Sequence, residues 1–311
     1  MASPFGFEPW LLAIVAAGGF AVYTVTVEFG MSWTDGEASP ALAAAFYSTV
    51  VVTGAFWALA LYRGIPAGSL APERIWPFVL AGVAYPALFR FLYYEGIDRI
   101  GASVTAAIMG GYPAVSVLLA VLLLGDALGA VTGVGLALIV AGVVFLQLTQ
   151  GADEGEIEDV VTEKLAAAAP RDLVYPLTAM TFTGAAFVLI DFGLAGFPDP
   201  IVATAVTQLP ALVIFSGWAL HSGAASGQLT LGRSVLGAFV LAGAFNFVGW
   251  LTNFYALQSG SVVTVVPLLN TMPLMILAIT YGIEREVPRS ARVLSAVVVI
   301  VAGATLVQVG A

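Results

Sequence analysis

The chain has 311 residues, of which 60% are hydrophobic and 9% charged, with a net charge of −9 and a mean hydropathy of +1.01. Soluble domains carry roughly 25% charged residues, so the composition excludes an ordinary soluble protein. The sequence has no cysteine, which excludes disulfides, thiolate nucleophiles and cysteine-held metals.

Apolar runs of about 20 residues, long enough to cross hydrocarbon as helices, recur along the whole chain. Helices satisfy their own backbone in lipid, and the alternating pattern of a membrane barrel is absent. Ten spans are predicted, at 10–30, 41–62, 76–95, 101–124, 128–148, 173–195, 200–221, 234–256, 261–282 and 290–309. The opening MASPFGFEPW has no basic region and runs into a full-length span, so no cleaved signal is expected.

Span one ends in Val27-Glu28-Phe29-Gly30, with Glu28 near a membrane face. Ser39-Pro40 gives span two a capping residue followed by proline at the first helical position. Tyr47 is a modest cavity candidate on that span. Span three carries Arg90 well inside it and, at its end, Tyr93 and Tyr94, which suit either the cavity or an aromatic belt. A central arginine costs about 2.5–3.5 kcal/mol to insert, so Arg90 is expected to face the bundle interior with an acidic or carbonyl partner. It reads either as a clamp for a carboxylate or phosphate or as a structural or snorkelling residue. Span four has Gly110, Gly111 and Pro113 at its middle and stops at Gly125-Asp126. Span five is rich in glycine, a helix-packing signal.

Residues 149–172 hold six acids between Asp153 and Glu163 and read as a solvated linker between two five-span halves, 1–148 and 173–311. Span six ends in Ile190-Asp191-Phe192-Gly193, matching the end of span one, and span seven opens at Asp199-Pro200. Glu28 and Asp191 are coupling or gating candidates, or simply wet interfacial acids. Gln208 stands near the place of Tyr47. Asn246, Trp250 and Asn253 share a face of span eight, suited to a cavity wall or to interhelical hydrogen bonds. Asn270 precedes Pro273 by three residues in span nine. Pro113 and Pro273, 160 residues apart, are helix-kink candidates that free a backbone carbonyl. Asp126 and Glu286 keep the same offset.

One unit therefore occurs twice. Five spans is an odd number, so the second unit enters the membrane from the other side, giving an all-α membrane protein of two inverted five-helix repeats. Such a molecule has a pathway between its halves that rocking can expose to each side in turn. The charge count bears on orientation. With the N-terminus inside, inside loops hold Arg63 and Arg74. Outside loops hold Arg99, Lys164, Arg171, Arg233, Arg285, Arg289 and Arg292, so the count favours an outside N-terminus.

The run from Ala81 to Val144, with its aromatic cluster, mid-span proline, glycine-acid stop and glycine-rich last helix, resembles the EamA-type unit of the drug/metabolite transporter superfamily. The stretch from Ala242 to Gly303 is similar in outline. The resemblance implies a secondary transporter of ten helices with a central cavity lined mainly by the first four helices of each half. It implies a substrate such as an amino acid, organic anion or drug-like solute, often moved with protons or by exchange, and a cytoplasmic N-terminus. The chain departs from the family at Ala17-Gly18-Gly19-Phe20, Asp126 and Arg285. No cofactor or metal is expected, nor a nucleic-acid partner; the partners are the bilayer and a small-molecule substrate, the oligomer a monomer or homodimer, and the location the cell membrane. The spans carry no DxxD, HExxH or P-loop, so a membrane enzyme or ATP-driven pump is not expected. The remaining alternative is a passive channel or membrane scaffold.

Overall fold

The computed structural model describes residues 6–33, 40–149, 169–221, 231–284 and 291–310. These contain helices and no strand. Ten are long and apolar enough to cross a membrane. They are span one (Pro9–Ser32), two (Pro40–Arg63), three (Pro72–Ile100), four (Ala102–Leu124) and five (Ala130–Thr149), then six (Pro170–Leu194), seven (Pro200–His221), eight (Arg233–Ser259), nine (Val262–Ile283) and ten (Ala291–Val309). The predicted spans differ mainly at their ends. Thr149 and residues 170–172, read as linker, are helical, because Pro170 supplies a first-turn proline to span six. The acidic run, Ser39 and Glu286 lie outside the described residues.

The expected proline starts are where the helices begin, at Pro40 and Pro200. At the second, the Ile201 N–H donates to Asp199 Oδ1 at 2.8 Å, which satisfies one of the orphan donors of a helix start. Span four ends at Gly125, whose φ of +76° is the left-handed cap that glycine adopts without penalty.

Contacts between the halves follow the repeat. Spans one and eight pack together, and so do three and six; two with seven, four with nine and five with ten are the self-matching pairs. Exchanging the halves maps this set onto itself. Close approach is carried by glycine, since lipid supplies no hydrophobic drive between helices. A methyl on Gly19 would stand 2.8 Å from the Gly249 nitrogen, where spans one and eight cross. A methyl on Gly135 would stand 2.7 Å from the Gly303 carbonyl oxygen, and one on Gly303 equally close to that of Gly135, fixing spans five and ten. Thr132 adds a hydroxyl bond to the Gly310 carbonyl at 2.9 Å.

With ten spans both helical termini lie on one face, here termed the N-terminal face; the 149–170 connection lies on the other, the linker face. Three spans are broken. Span four divides into Ala102–Met109 and Tyr112–Leu119 around Gly110-Gly111, and span nine into Val262–Leu269 and Met272–Glu284 around Asn270-Thr271. Pro113 and Pro273 sit in the first turn of each second segment, where a missing N–H costs nothing. Span three has a break that the sequence reading did not anticipate, at Tyr85 (φ −145°, ψ 122°) before Pro86.

Candidate functional site

A cavity of about 450 Å³ lies between the halves. Its wall is drawn from spans one to four and six to nine, with Val143 and Gln147 added from span five. It reaches from mid-membrane, where the broken segments of spans four and nine meet, toward the linker face, where Glu28, Met31, Tyr94 and Gln147 stand. Span one presents Phe20, Tyr23, Thr24, Val27, Glu28 and Met31, a single stripe at helical spacing.

Arg90 is in this wall, half-buried. Its Nη2 donates to the Tyr23 hydroxyl at 2.7 Å, and its guanidinium carbon lies 5.3 Å from the centre of the Phe215 ring. The expected acidic or carbonyl partner is not what it touches: a phenol and an aromatic face hold it, and among the described residues no carboxylate lies within ion-pair distance of it. A guanidinium has five donors, so most of this one's hydrogen-bonding capacity is unused among the described residues. The wall around it is aromatic. Trp250 meets Phe20 edge-on with ring centres 5.7 Å apart, and lies 5.8 Å from Tyr85. Tyr112 stacks on Phe187 at 5.7 Å, and Phe89 on Tyr93 at 5.4 Å.

Of the polar candidates, Asn246, Gln208, Asn270 and Tyr93 line the cavity beside Trp250. Asn270 Nδ2 donates to the Gly110 carbonyl at 2.9 Å. Gln208 Nε2 is buried without a hydrogen-bond partner. Glu28 stands exposed at the mouth. Arg99 is not its partner, since Arg99 bonds Glu95 and Asp172, each at 3.1 Å.

Four candidates fall outside the wall. Tyr47 points to a separate cluster around Val235 and Phe239, and Thr49, about 200° further round the helix than Tyr47 at 100° per residue, takes the polar position on span two. Asn253 lies about 10 Å of helical rise beyond Asn246, beneath the cavity floor, fully buried with neither amide atom bonded. Asp191 is at the opposite membrane face, because span six runs toward the N-terminal face. Pro113 is buried behind the wall, whereas Pro273 lines it. Asp126, just past span four, has a carboxyl held above its usual range by partial burial, and its Oδ2 has no hydrogen-bond partner. Tyr23, Tyr85, Tyr112 and Gln147 were not singled out from sequence. The helical spacing of Tyr23 from Phe20 and Val27, and the place of Tyr85 before a proline, are the signals by which two of them could have been found.

On the N-terminal side the cavity is closed. Phe78 packs against Phe197 and Phe254 with ring centres 4.9 and 6.4 Å away, and Phe56 against Phe247 at 4.4 Å.

A family model described as the EamA-like transporter family matches residues 9–148 and 173–308, once in each half. No curated protein matches the chain. A solved structure titled only "Crystal structure of protein" aligns with a TM-score of 0.74 at 18% identity, covering 97% of this chain and 97% of that one, a likeness of fold.

Proposed function

The chain belongs to the EamA-like transporter family, and on that premise we propose that it is a secondary transporter of a small metabolite bearing a carboxylate or phosphate on a flat or apolar body. The observation that carries this reading is Arg90, a cation in the cavity wall with no carboxylate partner among the described residues. A charge partly withdrawn from water without a counter-ion is costly, and an anionic ligand supplies both the charge and the acceptors. A carboxylate can take two parallel N–H bonds from a guanidinium, which a point charge cannot offer.

The rest of the wall supports an organic substrate. Pockets for small molecules are mostly apolar with a few placed polar groups and run roughly 300–1,000 Å³, and this cavity fits that pattern. Aromatic rings of Trp250, Tyr85 and Tyr112 offer flat faces, while Asn246 and Gln208 offer amides. Amino acids, organic anions and acidic drug-like solutes are the classes that suit this wall.

Alternating access is the proposed mechanism, and the chain is proposed to work in the cell membrane. In the conformation described, the site is reached from the linker face and sealed toward the other. That one-sided seal favours a carrier over a passive channel. The test is counterflow in proteoliposomes with a panel of amino acids, organic anions and sugar phosphates. At least one anionic solute is expected to exchange; a cation-only profile, or none at all, contradicts the reading.

A further inference from the structure

Three spans carry polar residues out of the cavity and into the closed side. On span two, Thr49 lines the cavity, and Thr53 and Trp57 follow at intervals of four on the same face. On span eight, Asn246 and Trp250 line it, and Asn253 follows. On span seven, Gln208 lines it, and Thr204 follows toward the N-terminal face. Thr53 Oγ1, Trp57 Nε1 and both amide atoms of Asn253 are buried without hydrogen-bond partners. Groups of this kind are expensive to leave unmade, and most proteins avoid them.

The same three spans meet again at the N-terminal face. Arg63, at the end of span two, reaches Asp199 Oδ2 at 3.9 Å, and its Nη1 donates to the Tyr255 hydroxyl at 3.5 Å. Asp199 caps span seven, and Tyr255 belongs to span eight. The second repeat has no base at the matching position: 160 residues after Arg63 the sequence has Gly223.

We propose that Thr53, Trp57 and Asn253 mark the closed half of the translocation pathway, and that Arg63, with Asp199 and Tyr255, is the latch that holds its exit shut. The inference rests on the carrier reading above. It explains the orphaned groups: they are dry in this conformation and wetted when the N-terminal face opens. It also makes the two conformations unequal, since the latch stabilises only the one open to the linker face. Arg63 is about half exposed, so the latch is weak and salt-sensitive, worth roughly a two- to fivefold shift in population.

The native chain has no cysteine, so single thiols report directly. Ala60→Cys places one in the closed half, three residues before Arg63; Gln147→Cys places one in the open cavity. Each is labelled with a charged thiosulfonate reagent in nanodiscs, which expose both faces. Adding Arg63→Gln is expected to raise the rate at position 60 about two- to fivefold and to lower that at position 147. Asp199→Asn, which keeps the helix cap, is expected to do the same, and Arg63→Lys to do less. Raising salt should mimic the variants on the native latch and have little further effect on Arg63→Gln. An unchanged rate at position 60 overturns the proposal, and so does a rise there without a fall at position 147, which marks local fraying. Labelling needs no substrate, so a chain that alternates but moves none of the panel contradicts the transport reading and leaves the latch standing.

Discussion

The side chain of Asn270 donates to the carbonyl oxygen of Gly110 at 2.9 Å, and the two residues hold the same place in the two repeats, 160 positions apart. The bond therefore joins the two helix breaks across the internal two-fold, at the inner end of the cavity. It also shows how the halves diverged: glycine in one repeat leaves its carbonyl open, and asparagine in the other fills the vacancy in hydrogen bonding. Asn270→Leu keeps the branched shape at somewhat greater volume and removes the donor, leaving a buried carbonyl short of a partner. A cost of about 1–3 kcal/mol is expected, read as a lower melting temperature in detergent with normal membrane insertion. An unchanged melting temperature would show that the contact is incidental.

Gly19 and Gly249 set the distance between spans one and eight. Gly19→Leu would drive a side chain into the Gly249 backbone, and overpacking of that kind costs about 1–3 kcal/mol or more. Folded yield by gel filtration should fall several-fold. Gly54→Leu is the matched control, since nothing lies within 4 Å of its position, and its yield should hold. Equal yields for the two would refute glycine as the spacer.

The inverted topology predicts that Ala2 and Gly151 lie on opposite sides of the membrane. Reporter fusions at the two sites, active on one side only, read this directly. The same answer from both would contradict an odd number of spans in the first half.

Asp126 gives a pH effect. Its carboxyl is raised by burial, so the folded protein holds the proton more tightly than the unfolded chain does. That contribution is full below the unfolded value of about 4 and is lost as pH rises toward the folded value. Asp126→Asn should therefore raise the melting temperature slightly at neutral pH and leave it unchanged near pH 3. A loss at neutral pH would point to an unrecognised cation partner.

Much of the fold was legible because its signals are linear. Span lengths, the proline starts at Pro40 and Pro200, and the 160-residue offset need no tertiary information. The cavity wall was legible where a residue was anomalous for its setting, as with Arg90, Asn246, Trp250 and Asn270. It was misread where the sequence gives a helix but not its rotation or depth. Tyr47 and Asn253 are on the right spans, yet one points to a neighbouring cluster and the other lies below the floor. The partner of Arg90 was hidden because tyrosine in an apolar run looks like ordinary filling, and its meeting with Arg90 depends on how spans one and three cross.

The central claim is that Arg90 binds the substrate's anionic group, and its most direct test is exchange of the best anionic solute by Arg90 variants in proteoliposomes, at matched protein content. Arg90→Leu should insert normally, since leucine is cheaper in lipid, and should lose exchange by roughly ten- to a hundredfold as a hydrogen-bonded charge pair is removed. Arg90→Lys should keep partial activity with a raised KM, since charge remains while the planar fork is gone. Arg90→Leu exchanging that solute at the native rate would contradict the account and return Arg90 to a packing role beside Tyr23 and Phe215.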